Sequence, residues 1–569
     1  MDEPPRRLDS DGLPDTDPNA KLYNLKAARA LAEFGTVTAI RLHGVCTQRM
    51  RNCSSVSNNQ VSSSLDTELK SPTGIVADKA VSISATTQEP RPTDRTMIRA
   101  MAWTGAAKWT TQLLTWLSTI VVARILLPSD YGLYGMATIY LGLVALISEF
   151  GLGQAVLTLR EMSARQVAQI NSLSLAAGGL LFGISCALAD PLGKFFHSPK
   201  LPPVVMVMSL SFLISGAQVV PDALLQRDLR FKLLASFATA RALVQSGTTV
   251  VLALLGSNYW SLALGSLAGA AVATAMAVIA RPHFLAWPRM KEIKRALGFS
   301  GDVLGTQVAW YAYANSDFLV AGRVLGQAPL GAYTIAWTIA STPVEKITNM
   351  IMRVTPAFFS AVQDDKPHLR RYLLGITDGL SLLTFPASLG MALVADQFVL
   401  VVLGPKWAAA IIPLRLLAVY AAMRSITTVF PNMLFAMRHS RFVLWNTVVA
   451  AVAFPTAFYY SSRWGTTGIG MTWILLYPLI TAPFVWRTFV ATELSVWTYL
   501  RSMVPAMRAS LVMIIMVIGV RVATPATWSL AVRFAISVLT GVISYSAILL
   551  IAERQRMGKL FRLLRGGEI

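Results

Sequence analysis

Ionisable side chains stand inside helix-length apolar stretches of this chain, among them Lys108, Arg241, Asp317, Lys346, Asp378 and Arg424. A charge in hydrocarbon is expensive, so such a group normally faces water or a partner. Cations at depth can hold an anion that would otherwise not enter, and arginine suits phosphate oxygens best because its charge is fixed and its fork is planar. Arg241 and Arg424 lie furthest inside apolar sequence and are the leading anion-binding candidates, followed by Lys108 and Lys346. Lys108 is near the end of its stretch, where a lysine also snorkels to the interface. Arg415 precedes Arg424 by half a turn out of phase, so a straight helix cannot aim both at one cavity. Asp317 and Asp378 are candidates for proton or ion coupling, since a carboxylate in a low-dielectric site keeps its proton unless a cation sits beside it. The competing expectation for Asp317 is structural pairing with an intramembrane arginine.

Neutral polar groups accompany these charges at helical spacing. Lys108, Thr111, Gln112, Thr115, Ser118 and Thr119 form one stripe; Gln307, Tyr311, Asn315 and Asp317 form a second; Thr342, Lys346 and Asn349 form a third. Gln112, Thr115, Gln307, Tyr311, Asn315 and Asn349 are the cavity-lining candidates, although the same spacing fits tight interhelical hydrogen bonding. Glu345 and Lys346 are sequence neighbours and face different directions, so each is expected to pair across helices. The histidines fall outside the spans and the three cysteines show no metal or disulfide spacing, so neither a metal nor a cofactor is expected.

The elements that position these groups are membrane helices. Hydrophobic residues make up 54% of the chain and charged residues 14%, against about 25% charged in soluble domains. Fourteen apolar segments of about spanning length follow Met101. The fold class is therefore all-α and polytopic. The ninth segment contains Pro386, expected to interrupt it, and Phe398 to Leu403 reads as a short apolar loop behind it. The expected division is 97–285 for six helices, 286–490 for six more, and 491–569 for two helices with a basic tail. Residues 1–96 are polar, balanced in charge and without apolar period; they read as disordered, and Met97 reads as a natural start. The net charge of +21 therefore arises after residue 96. It sits in alternate short loops, which is the mark of membrane topology rather than of nucleic-acid binding, and it puts both termini in the cytoplasm.

The chain also repeats itself. Ala123 to Ala137, ARILLPSDYGLYGMA, lies without a gap over Gly322 to Ala336, GRVLGQAPLGAYTIA, with Arg124 on Arg323, Gly132 on Gly331 and Tyr134 on Tyr333. Two copies of one helical hairpin in the same orientation imply two parallel membrane halves. Arg124 and Arg323 are expected to fix the turns of their own hairpins.

Several stretches resemble the polysaccharide-transporter branch of the multidrug/oligosaccharidyl-lipid/polysaccharide exporter (MOP) superfamily: LISEFGLGQAV at 146–156, ALLQRDLRFKLLA at 223–235, SDFLVAGRVLGQAPLGAY at 316–333, GPKWAAAIIPLRLL at 404–417 and NMLFAMRHSRFVLW at 432–445. The resemblance implies a V-shaped cavity between two helical lobes. It implies translocation, not catalysis, of undecaprenyl-diphosphate-linked oligosaccharide across a bacterial inner membrane for exopolysaccharide, capsule or O-antigen assembly. The bilayer and the lipid-linked oligosaccharide are then the partners, with a polymerase and export machinery downstream. The alternative is a multidrug or cation antiporter of the same superfamily, whose cavity should favour acidic and aromatic groups. A membrane glycosyltransferase or acyltransferase fits less well, because such an enzyme would be expected to place acid/base residues on a sizeable outer loop or a histidine in the membrane.

Overall fold

A computed structural model describes residues 111–552, apart from 113, 150–155, 157–162, 283, 288–300, 353–354, 356–358, 360–361 and 364. The 1–96 leader, Met97 and Lys108 lie outside the described residues, as does the side chain of Gln307. Each of the fourteen expected spans falls on helix. The first six are α1 (Leu114–Ile125), α2 (Pro128–Glu149), α3 (Ala164–Phe195), α4 (Leu201–Arg227), α5 (Phe231–Leu254) and α6 (Tyr259–Ala280). The second six are α7 (Gly301–Ala314, continued by Ser316–Val320 and a π-helical turn at Ala321–Leu325), α8 (Gln327–Met352), α9 (Lys366–Phe398), α10 (Ile411–Thr427, extended by Val429–Ala436), α11 (Ser440–Ser461) and α12 (Gly465–Thr492). α13 (Val496–Ala523) and α14 (Leu530–Ala552) complete the bundle. Local sequence sets several of the ends. Ser163 and Gln166 form a reciprocal capping box before α3, and Asp365 caps α9 with Pro367 in the first turn.

Nine stretches among the described residues are long and apolar enough to cross a bilayer, Ser440–Thr492 covering both α11 and α12. α1, α2, α7 and α8 are not among them. These are the two repeated hairpins, which carry the polar stripes.

Two expectations about α9 are corrected. The helix runs unbroken through Pro386, and Val399–Leu403 continues it as a π-helical turn rather than forming a loop. Pro386 has no N–H, so the carbonyl of Leu382, four residues earlier, loses its helical partner. The Tyr545 hydroxyl on α14 donates to that oxygen at 2.7 Å. A neighbouring helix thus repairs the proline gap, and no interruption is needed. α13 and α14 pack on the same helix around Leu389, Leu393, Val394, Met513 and Tyr545. Near the end of α9, Asp396 forms ion pairs with Arg521 of α13 at 2.6 Å and Arg415 of α10 at 3.1 Å, while Arg521 also donates to the Leu393 carbonyl.

At the other end of α9, Lys366 (2.8 Å) and Arg370 (3.0 Å) hold Glu493, which ends α12 in the left-handed conformation. Lys366 first, then Arg370, keeps the Glu493 carboxyl below the usual range. A depressed carboxylate stabilises the fold above its unfolded pKa, and that contribution is lost as pH falls through the folded value. Thermal unfolding of Glu493→Gln should show a deficit at neutral pH that closes below the carboxylate range; a deficit unchanged at acid pH would rule out this linkage. Separately, Tyr545→Phe leaves the Leu382 oxygen unpaired and is expected to cost about 1–3 kcal/mol. Denaturation in detergent checks this, and a wild-type unfolding midpoint would remove α14 from the repair of α9.

Candidate functional site

The two repeats meet where α1 turns into α2 and α7 into α8. A Cβ on Gly132 would overlap the backbone oxygen of Gln327, and a Cβ on Gly331 would overlap that of Pro128. Gly132 and Gly331 are repeat equivalents, and so are Pro128 and Gln327. The contact is therefore reciprocal: each repeat's glycine receives the first residue of the other repeat's second helix. Helix ends are exchanged around it. The final carbonyls of a helix lack intrahelical partners. Ala123 and Arg124 of α1 find theirs in Trp407 Nε1 and Lys406 Nζ, both at 2.8 Å. In return Arg124 donates to Val402 at 2.7 Å and to Val401, beyond the end of α9. Arg323 reaches His197 at the end of α3 and lies 5.2 Å over the Phe195 ring. Both arginines thus reach from their hairpin turns to helix ends in the other half of the chain, Arg124 beyond the end of α9 and Arg323 at the end of α3.

Tyr311 strengthens the same crossing from within. Its hydroxyl donates to the Ile139 carbonyl of α2 at 2.9 Å, against Gly142, where a Cβ would overlap it. Asn315 donates to the Tyr311 carbonyl at 3.1 Å, at the break in α7. On α1, Thr115 bonds back to the Thr111 carbonyl at 2.9 Å and Ser118 reaches the Ser246 carbonyl of α5 at 3.3 Å. Gln112 is half-buried.

The break in α7 buries Asp317 completely. Its Oδ2 accepts from Tyr333 Oη at 2.8 Å and from Trp473 Nε1 at 3.1 Å, while Oδ1 has no hydrogen-bond partner. The expected arginine pairing is corrected: a phenol and an indole, not a guanidinium, bind this carboxylate, both at Oδ2. Tyr333 is carried by the repeat, as the equivalent of Tyr134; Trp473, far along the chain, has no local signal. The Trp473 ring lies 4.6 Å from Tyr420 and 4.8 Å from Phe454. Tyr420 in turn borders a cleft of about 60 Å³ between α8 and α10, lined by Trp337, Glu345, Thr348, Asn349 and Arg424 among others. Glu345 pairs with Arg424 at 3.0 Å, and both remain partly open, 44% and 32%. Lys346, next to Glu345, and Asn349, one turn on, are exposed on α8.

Arg241 is not part of this cluster. It is exposed on α5, within electrostatic range of Asp222 and Tyr134, and its backbone oxygen approaches Gly269 of α6. Asp222 accepts from Gln218 at 2.8 Å, and Gln218 also bonds Thr274 at 3.0 Å. Asp378 lies on the part of α9 near Tyr545, away from Asp317. The structure therefore distributes the charged candidates among separate environments. Among the described residues no cluster of metal-ligating side chains forms. Sequence reasoning missed Asp222 and Asp396, whose acidic side chains near span ends were the available signal.

A multi-pass helical bundle with paired hairpins and charged groups held between helices defines a transporter fold. The lipid II flippase MurJ in its inward closed conformation superposes with a TM-score of 0.66, covering 80% of this chain and all of MurJ at 13% identity. An inward-facing multidrug transporter of the MOP superfamily superposes at 0.54, over 68% of this chain and 96% of its own, with 16% identity. The sequence matches the polysaccharide biosynthesis protein family over residues 121–412, and the chain belongs to that family. Relatives include the succinoglycan biosynthesis transport protein ExoT of Rhizobium meliloti, 24% identical with 84% of this chain and 97% of ExoT covered. The lipopolysaccharide biosynthesis protein WzxC of Escherichia coli is 27% identical, with 56% of this chain and 65% of WzxC covered. An uncharacterised membrane protein in the cps region of Klebsiella pneumoniae is 24% identical over 66% of this chain and 79% of its own.

Gly132→Leu and Gly331→Leu wedge a side chain between backbones, and overpacking of this kind costs about 1–3 kcal/mol. Each should lower the unfolding midpoint and raise labelling of a cysteine placed at Gln327 or Pro128. Unchanged labelling in both variants would mean the crossing is not held by glycine contact.

Proposed function

We propose that this protein is a flippase that moves a polyprenyl-diphosphate-linked oligosaccharide across the bacterial inner membrane for polysaccharide assembly. It works by alternating access between an N-terminal half, α1–α6, and a C-terminal half, α7–α12, with α13 and α14 appended and both termini in the cytoplasm. The observation that carries the reading is Arg424: a fixed cation within the bundle, partly open at the α8–α10 cleft, in a chain whose family relatives include ExoT and WzxC. Its pair with Glu345 satisfies the guanidinium while no anion is present; a diphosphate offers more negative charge and a better match to the fork. Arg241, exposed on α5, supplies a second cation from the other half. Asn349 lines the same cleft as Arg424, and Lys346, exposed on α8, is proposed as a further headgroup contact. Lys108 is proposed as a further contact from α1.

In this topology the exchanged helix ends lie at the outer face, so the crossing of α2 and α8 closes that face to the substrate. Directional transport needs a free-energy difference between the two states. Asp317 is proposed as the proton- or ion-coupling group, with Asp378 second. Asp317 supports the reading because it is buried with one oxygen unpartnered, and because Trp473, which donates to it, also stacks on Tyr420 at the cleft.

The experiment is flipping of a labelled polyprenyl-diphosphate oligosaccharide by the purified protein in liposomes. Wild type should transport it, and Arg241→Ala and Arg424→Ala should each reduce the rate by about tenfold or more, as expected for loss of a charge-assisted hydrogen bond worth 1.5–3 kcal/mol. Asp317→Asn keeps an acceptor for Tyr333 and Trp473 and should flatten the pH dependence of the rate while preserving the fold. Transport that survives both arginine substitutions would make those residues structural. Ion-driven efflux of cationic drugs without flipping would replace this reading with a drug antiporter.

A further inference from the structure

Beside the crossing of the two repeats lies a surface pocket of about 460 Å³. Ser129 of α2, Phe196 and His197 at the end of α3, and Arg323, Gly326 and Gln327 between α7 and α8 line it. Its cation is held in place. Arg323 lies 5.2 Å over the Phe195 ring and meets His197 Nε2 at 2.6 Å. A guanidinium only donates, so the imidazole accepts, and the rest of the fork has no carboxylate to meet. Gln327 Nε2 donates to Ser198 Oγ at 2.7 Å, which fixes the α7–α8 turn against the α3–α4 turn.

Charge at this pocket is unbalanced. Lys194 and Lys200 are exposed at the α3–α4 turn, and among the described residues neither they nor Arg323 forms an ion pair. The first repeat is arranged differently. Arg124, the equivalent of Arg323, gives its N–H groups to the carbonyls of Val401 and Val402. Asp130, in the first turn of α2, accepts from Leu127 N at 2.9 Å and lies within electrostatic range of Lys406. Its equivalent in the second repeat is Pro329, and the first turn of α8 has no acid. The second repeat therefore combines an arginine with the positive end of a helix and supplies no carboxylate of its own. Asp190, exposed one turn before Lys194, does not line the pocket.

We propose that this pocket binds a phosphate group and that the bound group clamps the two halves together. A carboxylate offers two oxygens in one plane. A phosphate offers three acceptor oxygens in a tetrahedral array, enough for the Arg323 fork, the His197 ring and Ser129 Oγ. Ser129 and His197 belong to the first half and Arg323 to the second, so one ligand spans the joint. The phosphate group is either the free ion or the headgroup of a lipid. The clamp rests on the alternating-access reading, in which the pocket lies at the outer face: a ligand that fits only the state closed there favours that state and slows transport. Binding itself does not depend on that reading.

The test is isothermal titration of the purified full-length protein with sodium phosphate and, separately, with undecaprenyl phosphate, against sodium chloride at the same ionic strength. Wild type should bind phosphate saturably. Arg323→Gln should weaken binding about tenfold or more, as loss of a charge-assisted contact predicts. His197→Asn keeps a residue that tolerates the φ of 51° at this position and should also weaken binding. Arg463→Gln removes a cation that lies over Tyr460 instead and should bind as the wild type does. Pro329→Asp places a carboxylate where the first repeat has one and should compete with phosphate while the protein stays folded. Tighter binding of undecaprenyl phosphate, weakened by the same substitutions, assigns the pocket to a lipid headgroup; equal affinity assigns it to the free ion. In the liposome assay, added phosphate should slow flipping by wild type several-fold and leave Arg323→Gln at its own phosphate-free rate. No saturable binding, or binding that survives both Arg323→Gln and Pro329→Asp, overturns the site. Binding without any slowing, or slowing that persists in Arg323→Gln, overturns the clamp. A wild type that binds phosphate through Arg323 but flips no lipid keeps the site and overturns the flippase reading.

Discussion

Where α2 crosses α8, two backbones meet with no side chain between them. Gly132 and Gly331 make that approach possible, and each removes the Cβ that would strike the first residue of the opposite helix. Close helix approach is a main source of cohesion in a bilayer, where lipid tails are as apolar as leucine and burial alone gives little drive to associate. The crossing sets the rest of the joint. It brings Arg124 to the end of α9, Trp407 and Lys406 to the end of α1, and Tyr311 to the backbone of α2. These are polar contacts between helix ends or backbones, so they exchange well-defined partners rather than slide.

The interior follows a second rule: polar backbone and side-chain groups inside a bilayer must find partners within the protein. Tyr545 serves the carbonyl that Pro386 abandons, and Tyr333 and Trp473 serve Asp317. The exceptions are informative. They include one oxygen of Asp317 and the hydroxyl of Thr348, both buried without partners.

The helices and their order were legible because runs of apolar residues of spanning length have few other uses. The repeat was legible because it preserved Arg, Gly and Tyr in register, and the two glycines form the crossing itself. The direction in which side chains reach was not legible. Arg124 and Arg323 sit at hairpin turns in sequence but act across the repeats, because a long guanidinium reaches beyond its own turn. The partners of Asp317 come from α8 and α12, and only tertiary packing brings Trp473 beside it. Pro386 misled for the same reason. Its effect on α9 depends on a tyrosine more than 150 residues away, which local propensity does not encode.

The attachment of α13 and α14 to α9 makes the membrane outline of the protein lopsided. Tyr545 binds the backbone of α9, and Asp396 joins α9 to both α10 and α13. The last two helices are thus fastened to the second repeat and add their lipid-facing apolar surface to it. In the proposed alternating access, movement of the second half would then displace more lipid than movement of the first. Under that proposal, bilayer stiffness and thickness would load the two halves unequally, and the resistance of the surrounding lipid would bear mainly on the half that carries Asp317 and the α8–α10 cleft.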